Sequence, residues 1–156
     1  MPGTAKKLAI RPAALDWLGD ALKLHEVLDE TSALEHALMS LPTITLEAWT
    51  AGQEILAEGE EGEDFFVVYT GRVSVLLSNG RPKPRKLGTL KPGDFFGEIG
   101  FLLKAARSAS VRAETDAKIF RFPSAEFERL LRDNQGLDKW VNIVACKRLL
   151  KLFEAD

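Results

Sequence analysis

Glu98 and Arg107 are the two charges in the sequence whose setting calls for chemistry. They frame the stretch Phe96-Gly97-Glu98-Ile99-Gly100-Phe101-Leu102-Leu103, which runs on through Lys104, Ala105 and Ala106 to Arg107-Ser108-Ala109-Ser110-Val111. An arginine presents a planar fork that can grip two oxygens of one phosphate at once. The Ser108 hydroxyl and the Ala109 amide add further donors, and Gly97 lets a ligand approach the backbone closely. Glu98 to Leu103 can form a single helical turn whose free amides face an anion. Together these groups suit a monoanionic phosphodiester. A carboxylate should repel that anion, so Glu98 fits only if it accepts a hydrogen bond from a neighbouring hydroxyl such as a ribose 2′-OH, a bond worth roughly 1.5–3 kcal/mol when one partner is charged. A lone Glu and Arg at this separation would be ordinary surface charges, or a salt bridge with each other. The complete segment carries the reading.

The flanking sequence predicts the elements that position it. From Thr43 to Pro123 there are short β-rich runs at Thr45 to Thr50, Glu54 to Ala57, Phe65 to Tyr69, Val73 to Leu77, Lys86 to Leu90, Ser108 to Ala113 and Lys118 to Phe122, with several turns on glycine. This spacing predicts an antiparallel β-roll, jelly-roll-like and of about eight strands. Asn79 to Arg85, with Arg81 and Lys83, reads as a solvated hairpin loop. Upstream, Leu15, Leu18 and Leu22 share one helical face and Leu34, Leu38 and Leu41 a second, which predicts a helical hairpin broken near Asp29 to Ser32. Ser32 and Glu35 form a capping-box pattern, and Pro42 marks the end. Residues 1 to 12 have no sustained period and read as a loose arm. After Pro123, Ser124 is the expected N-cap of a helix running to about Asn134, with Gly136 as its stop, and a last helix follows from about Leu137 to Phe153. The whole is an α+β fold: an arm and hairpin over 1–42, a β-roll core over 43–123, and hinge and lid helices over 124–156.

Composition narrows the function further. Of 156 residues, 46% are hydrophobic and 28% charged, enough for one ordinary domain with its own core. A net charge of −2 supplies no basic field for nucleic acid, and no apolar run approaches the roughly 18 residues of a membrane span. Cys146 has no partner for an internal disulfide and the N-terminus lacks a secretory apolar region, so the cytoplasm is the expected location. His25 and His36 lack a third ligand, which leaves no metal site and disfavours a metal-dependent jelly-roll enzyme. Cys146 reads as a small packing residue of the last helix. No catalytic constellation stands out, and the expectation is a binding protein that is not an enzyme.

The segment from Phe96 to Val111 resembles the phosphate-binding cassette of the cyclic nucleotide-binding domain family, which includes the regulatory subunits of cyclic-AMP-dependent kinase, the catabolite activator protein and cyclic nucleotide-gated channels. The shared pattern is Phe-Gly-Glu, an aliphatic residue, Ala or Gly, and later Arg, a small residue, Ala, any residue and Val. Upstream, Ala51-Gly52-Gln53-Glu54-Ile55, then Gly59, Gly62, Asp64 and Val67-Val68-Tyr69-Thr70-Gly71, are similar to the family's first strands, so the likeness spans about Thr43 to Leu150. The resemblance implies a receptor for cyclic AMP or cyclic GMP, cyclic AMP being favoured. Gly97, Glu98 and Ile99 would lie against the ribose and phosphate, Arg107, Ser108 and Ala109 against the cyclic phosphate, and Val75 and Leu87 beside the base. Ser108 resembles the catabolite activator protein rather than the kinase subunits, which carry alanine there, and its hydroxyl can also serve guanine. Ala106 departs from the family's usual proline, which loosens the cassette and removes no ligand group.

The same resemblance implies a sensor whose C-terminal helices swing over the base, with Trp140 and Phe153 as candidate caps. The signal would pass to a protein partner or a homodimer through the terminal helices. Because the chain starts at Met1 and ends at Asp156, with no room for a DNA-binding or kinase module, a freestanding sensor is expected. The alternative is a nucleotide-independent β-roll scaffold for protein interaction or dimerisation.

Overall fold

A computed structural model describes residues 5–23 and 43–154. The seven strands expected from the sequence are all present: β2 (Thr45–Trp49), β3 (Glu54–Leu56), β4 (Phe65–Thr70), β5 (Val73–Leu77), β6 (Arg85–Leu90), β8 (Ser110–Ala113) and β9 (Ala117–Phe122). Two further strands, β1 (Lys6–Leu8) and β7 (Phe95–Phe96), complete two antiparallel sheets. One has the order β1-β2-β9-β4-β7 and the other β3-β8-β5-β6. The first sheet explains why β4 reads as an unbroken apolar run. Alternate residues face opposite sides of a strand, and here both sides are covered. Phe65 and Val67 join the helix-side core with Leu18, Phe127 and Val141, whereas Phe66 and Val68 join the inter-sheet core with Ile55, Val73 and Val111. β9 divides in the same way, Phe120 and Phe122 to the helices and Ile119 to the second sheet.

Four helices accompany the sheets among the described residues: α1 (Pro12–Ala21), α2 (Glu98–Leu103), α3 (Ser124–Asp133) and α4 (Gln135–Glu154). Pro12 opens α1 where its missing N–H costs nothing. α3 is fastened to the first sheet by Phe127, whose ring stacks on Phe65 at 3.8 Å. Burying such an aromatic stabilises by about 1.5–3 kcal/mol. α4 turns its buried stripe, Leu137, Val141 and Ala145 at helical spacing, toward the same core.

The structure corrects several sequence expectations. Residues 5–12 are not a loose arm: Lys6, Lys7 and Leu8 pair with Ala48, Glu47 and Leu46 of β2. This edge strand is held by main-chain hydrogen bonds, with Leu8 and Ile10 packed on the core, and three residues are too few to show a period. Ser124 is the first residue of α3 rather than its cap; the Pro123 carbonyl accepts from the Phe127 amide at 3.0 Å. Gly136 does not stop α3. The helix ends at Asp133 because Asn134 leaves helical geometry and its side-chain amide donates to the Leu130 carbonyl at 2.8 Å, while Gly136 lies in the first turn of α4. Cys146 is exposed, one position past the Leu137–Val141–Ala145 stripe and so turned about a quarter of the way round the helix from it. The second helix of the expected hairpin, its Ser32–Glu35 cap, His25 and His36 lie outside the described residues.

Candidate functional site

Arg107 emerges from the loop between α2 and β8 and is 6% exposed. Its backbone is clamped to the turn after β3: the Arg107 amide donates to the Glu60 carbonyl at 2.8 Å, and the Gly59 amide donates to the Arg107 carbonyl at 2.9 Å. The guanidinium is aimed by two main-chain oxygens, Nη1 donating to Gly97 O and Nη2 to Asp64 O, each at 3.1 Å. These two bonds use two of its five donors and fix the plane of the fork. Burial lowers the guanidinium's pKa from its ordinary value and the charge of Arg121 lowers it further, while Asp64, Glu98 and Glu63 work the other way.

Gly97 adopts φ +90°, a left-handed conformation that bends β7 sharply into α2. A side chain there would press on the Asp64 carbonyl, so the fold itself requires the glycine. Glu98, the first residue of α2, is 1% exposed and among the most deeply buried side chains. A buried carboxylate needs a partner. Its partner is not Arg107. Arg148 of α4 donates from Nη1 to Glu98 Oε1 at 2.7 Å, and the Arg148 guanidinium lies over the Phe95 ring at 5.2 Å. The last helix is thus tied to the cassette at the residue read as the ribose acceptor.

These groups line one cleft of about 210 Å³. The structure brings Gly97, Glu98, Ile99, Arg107, Ser108, Ala109, Val75 and Leu87 together in its wall, although they come from β5, β6, α2 and the loop before β8. Ser110 lies apart, its hydroxyl accepting from the Glu58 amide at 2.9 Å. The α4 residues at the cleft are Arg148, Lys151 and Leu152, and neither candidate cap, Trp140 or Phe153, is among them. Trp140 packs edge-on against Phe95 at 5.1 Å within the core, and Phe153 is 74% exposed. Leu152 carries the signal that could have found it: it lies about two helical turns from Ala145 and three from Val141, on the same face of α4. Asp64, Gly62 and Gly100 also surround the Arg107 side chain, which their residue types do not announce. Asp64 acts through a backbone carbonyl, which every residue has, and the two glycines act through the space they leave around Arg107.

The model of the cyclic nucleotide-binding domain matches residues 46–134, more than half the chain, from β2 through the end of α3. The chain belongs to the cyclic nucleotide-binding domain family. Among curated relatives, a cAMP-dependent protein kinase regulatory subunit from Colletotrichum orbiculare is 28% identical over 156 residues, covering 87% of this chain and 39% of that protein. The chain therefore spans about two fifths of that relative's length. Among solved structures, the regulatory domain of Toxoplasma gondii PKA with cAMP superposes with a TM-score of 0.71 at 21% identity, covering 86% of this chain and 49% of that one. The regulatory subunit of a cAMP-independent protein kinase A from Trypanosoma brucei gives 0.65 at 24% identity, covering 80% and 44%. At these identities the structural likeness is one of fold. The family's β-roll is the architecture described above, two antiparallel sheets with flanking helices and no closed barrel.

Proposed function

We propose that this chain is a non-catalytic cyclic nucleotide sensor of the cytoplasm, with cyclic AMP favoured over cyclic GMP. The observation that carries the reading is the pre-aimed Arg107 fork, buried and oriented by the Gly97 and Asp64 carbonyls at the cleft wall. A guanidinium already fixed in its plane loses little freedom on gripping a phosphate. The cyclic phosphate sits on Arg107, Ser108 and Ala109. The ribose hydroxyl donates to Glu98 beside Gly97 and Ile99, and the base lies between Val75, Leu87 and Leu152. Because Arg148 holds Glu98, a ribose that engages the same carboxylate is felt directly by α4, and its occupancy shifts the helix between two positions. To move such a switch from about 1:99 to 99:1, the nucleotide must prefer one position by roughly 10⁴-fold. The receiver is a protein partner docked on the terminal helices, where Ile143, Leu150 and Phe153 expose apolar surface on α4.

Calorimetric titration with cyclic AMP and cyclic GMP, repeated on Arg107→Ala and Glu98→Ala, tests this. The expected result is binding by the native chain that each substitution weakens at least tenfold, about 1.4 kcal/mol. No heat with either nucleotide, in folded and ligand-free protein, would replace the sensor with a nucleotide-independent scaffold.

A further inference from the structure

Asp64 presents different groups to two arginines. Its carbonyl accepts from Arg107 Nη2 at 3.1 Å, and its carboxylate Oδ2 accepts from Arg121 Nε at 2.9 Å. Arg121 stands on β9 and also reaches back to β2, where its Nη1 donates to Glu47 Oε2 at 3.3 Å. Glu47 is 4% exposed, and its second oxygen finds no hydrogen-bond partner among the described residues. A buried carboxylate in that position depends on the cation that remains to it. Glu47 therefore holds Arg121, and Arg121 holds Asp64.

A second line of contact runs through the aromatic residues. In the first sheet Arg121 pairs in register with Phe66, and Phe66 in turn with Phe96, so the three form a row across β9, β4 and β7. The Arg121 guanidinium lies 5.1 Å from the Phe66 centroid, and Phe66 stacks on Phe96 at 4.8 Å with nearly parallel planes. The Arg107 guanidinium lies 5.9 Å from the same Phe66 ring. Phe96 lines the cleft; Arg121 does not. Of the groups that set the Arg107 fork, the Gly97 carbonyl stands apart, whereas the Asp64 carbonyl and the Phe66 ring are both fixed from behind by the same side chain.

We infer that Arg121 is a positioning residue for the anion grip: by pinning the Asp64 carboxylate and covering Phe66 it sets the orientation of the Arg107 fork without touching ligand. This rests on the proposed cyclic nucleotide site. A remote cation that merely raised the local positive field would act through its charge alone, and lysine would replace it. A positioning arginine acts through geometry. Nε and Nη1 reach two carboxylates at once, which a single ammonium on a flexible stem cannot reproduce.

The test uses the Sp and Rp phosphorothioate diastereomers of the cyclic nucleotide that binds, which differ in the exocyclic oxygen replaced by sulfur. Kd for each is measured with native protein, Arg121→Lys, Arg121→Met and Glu47→Gln, alongside thermal unfolding without ligand. The expected result is that native protein separates the diastereomers and that Arg121→Lys and Glu47→Gln narrow the ratio of their Kd values at least threefold. A uniform loss of affinity, which a purely structural role would cause, leaves that ratio unchanged. A ratio preserved in Arg121→Lys overturns the positioning role while the cyclic nucleotide site stands. Native protein that binds no cyclic nucleotide overturns the site itself. Should Arg121→Met fail to fold, the lysine and Glu47→Gln variants decide the question.

Discussion

Three glycines stand where any side chain would reach Arg107. A Cβ on Gly62 would lie 3.0 Å from its Nη2, one on Gly97 3.2 Å from Nη1 and one on Gly100 2.9 Å from Nη1. The three are not equivalent, because what else lies nearby differs. At Gly62 the three nearest atoms all belong to the guanidinium, the far end of a side chain, which can yield slightly. At Gly100 the added carbon also meets the Gly62 carbonyl at 2.8 Å, a backbone atom that cannot rotate away as a side chain can. Gly100→Ala should therefore displace the fork and weaken nucleotide binding at least tenfold by calorimetry, with Gly62→Ala costing less. The reverse order would mean that the glycines do not form the cage. This is also where the sequence stops being legible. Arg107, Glu98 and their immediate neighbours, Gly97 and Gly100 included, could be read because they sit in one contiguous cassette, whereas the absent Cβ of Gly62, from another loop, leaves no pattern of residue types.

At the scale of elements, the contact that matters is α4 against α2. The last turns of α4 bury little of their own surface, with Leu150 62% and Phe153 74% exposed. Their hold on the roll falls to Arg148, through Glu98 and the face of Phe95, with Leu152 at the cleft. Arg148→Met keeps much of the stem's packing and removes the cation from a carboxylate that is nearly inaccessible. Loss of one partner from a fully buried pair costs about 3–5 kcal/mol, and since the Arg148 side chain is 28% exposed a smaller cost, roughly 1–3 kcal/mol, is expected. Hydrogen exchange should show it as faster exchange after Ala145, with the Leu137 and Val141 turns unchanged. Uniform protection along α4 in the variant would mean that apolar packing alone docks the helix. The elements themselves were largely legible, since alternation and glycine turns are local signals. β1 and β7 were not: each is two or three residues long, and each exists because a longer neighbour, β2 or β4, offers it a ladder. The end of α3 near Asn134 was legible, but what ends it was not. Asn134 closes it with a side-chain hydrogen bond that competes with the more familiar glycine signal at Gly136.

For the molecule as a whole, the cleft is the place where separately anchored parts meet. The wall formed by Val75 and Leu87 belongs to the second sheet, Phe96 to the first, Glu98 to α2 and Leu152 to α4. A ligand that touches all four binds the assembled fold and has little to hold in the unfolded chain, so binding must appear as global stability. With free nucleotide at 100 times Kd, mass action adds about 2.7 kcal/mol. A chain of this size shifts by roughly 2–4 °C per kcal/mol, which places the expected rise in Tm at about 5–11 °C. Arg107→Ala, which should weaken binding at least tenfold, is expected to remove about half of that rise or more at the same nucleotide concentration. The comparison also separates the sensor from the scaffold reading, for which nucleotide leaves Tm where it was in both proteins. A rise that survives Arg107→Ala undiminished would put the nucleotide elsewhere on the fold. In that case the cassette, its glycine cage and the Arg121 relay behind it would serve to hold the roll together rather than to read a ligand.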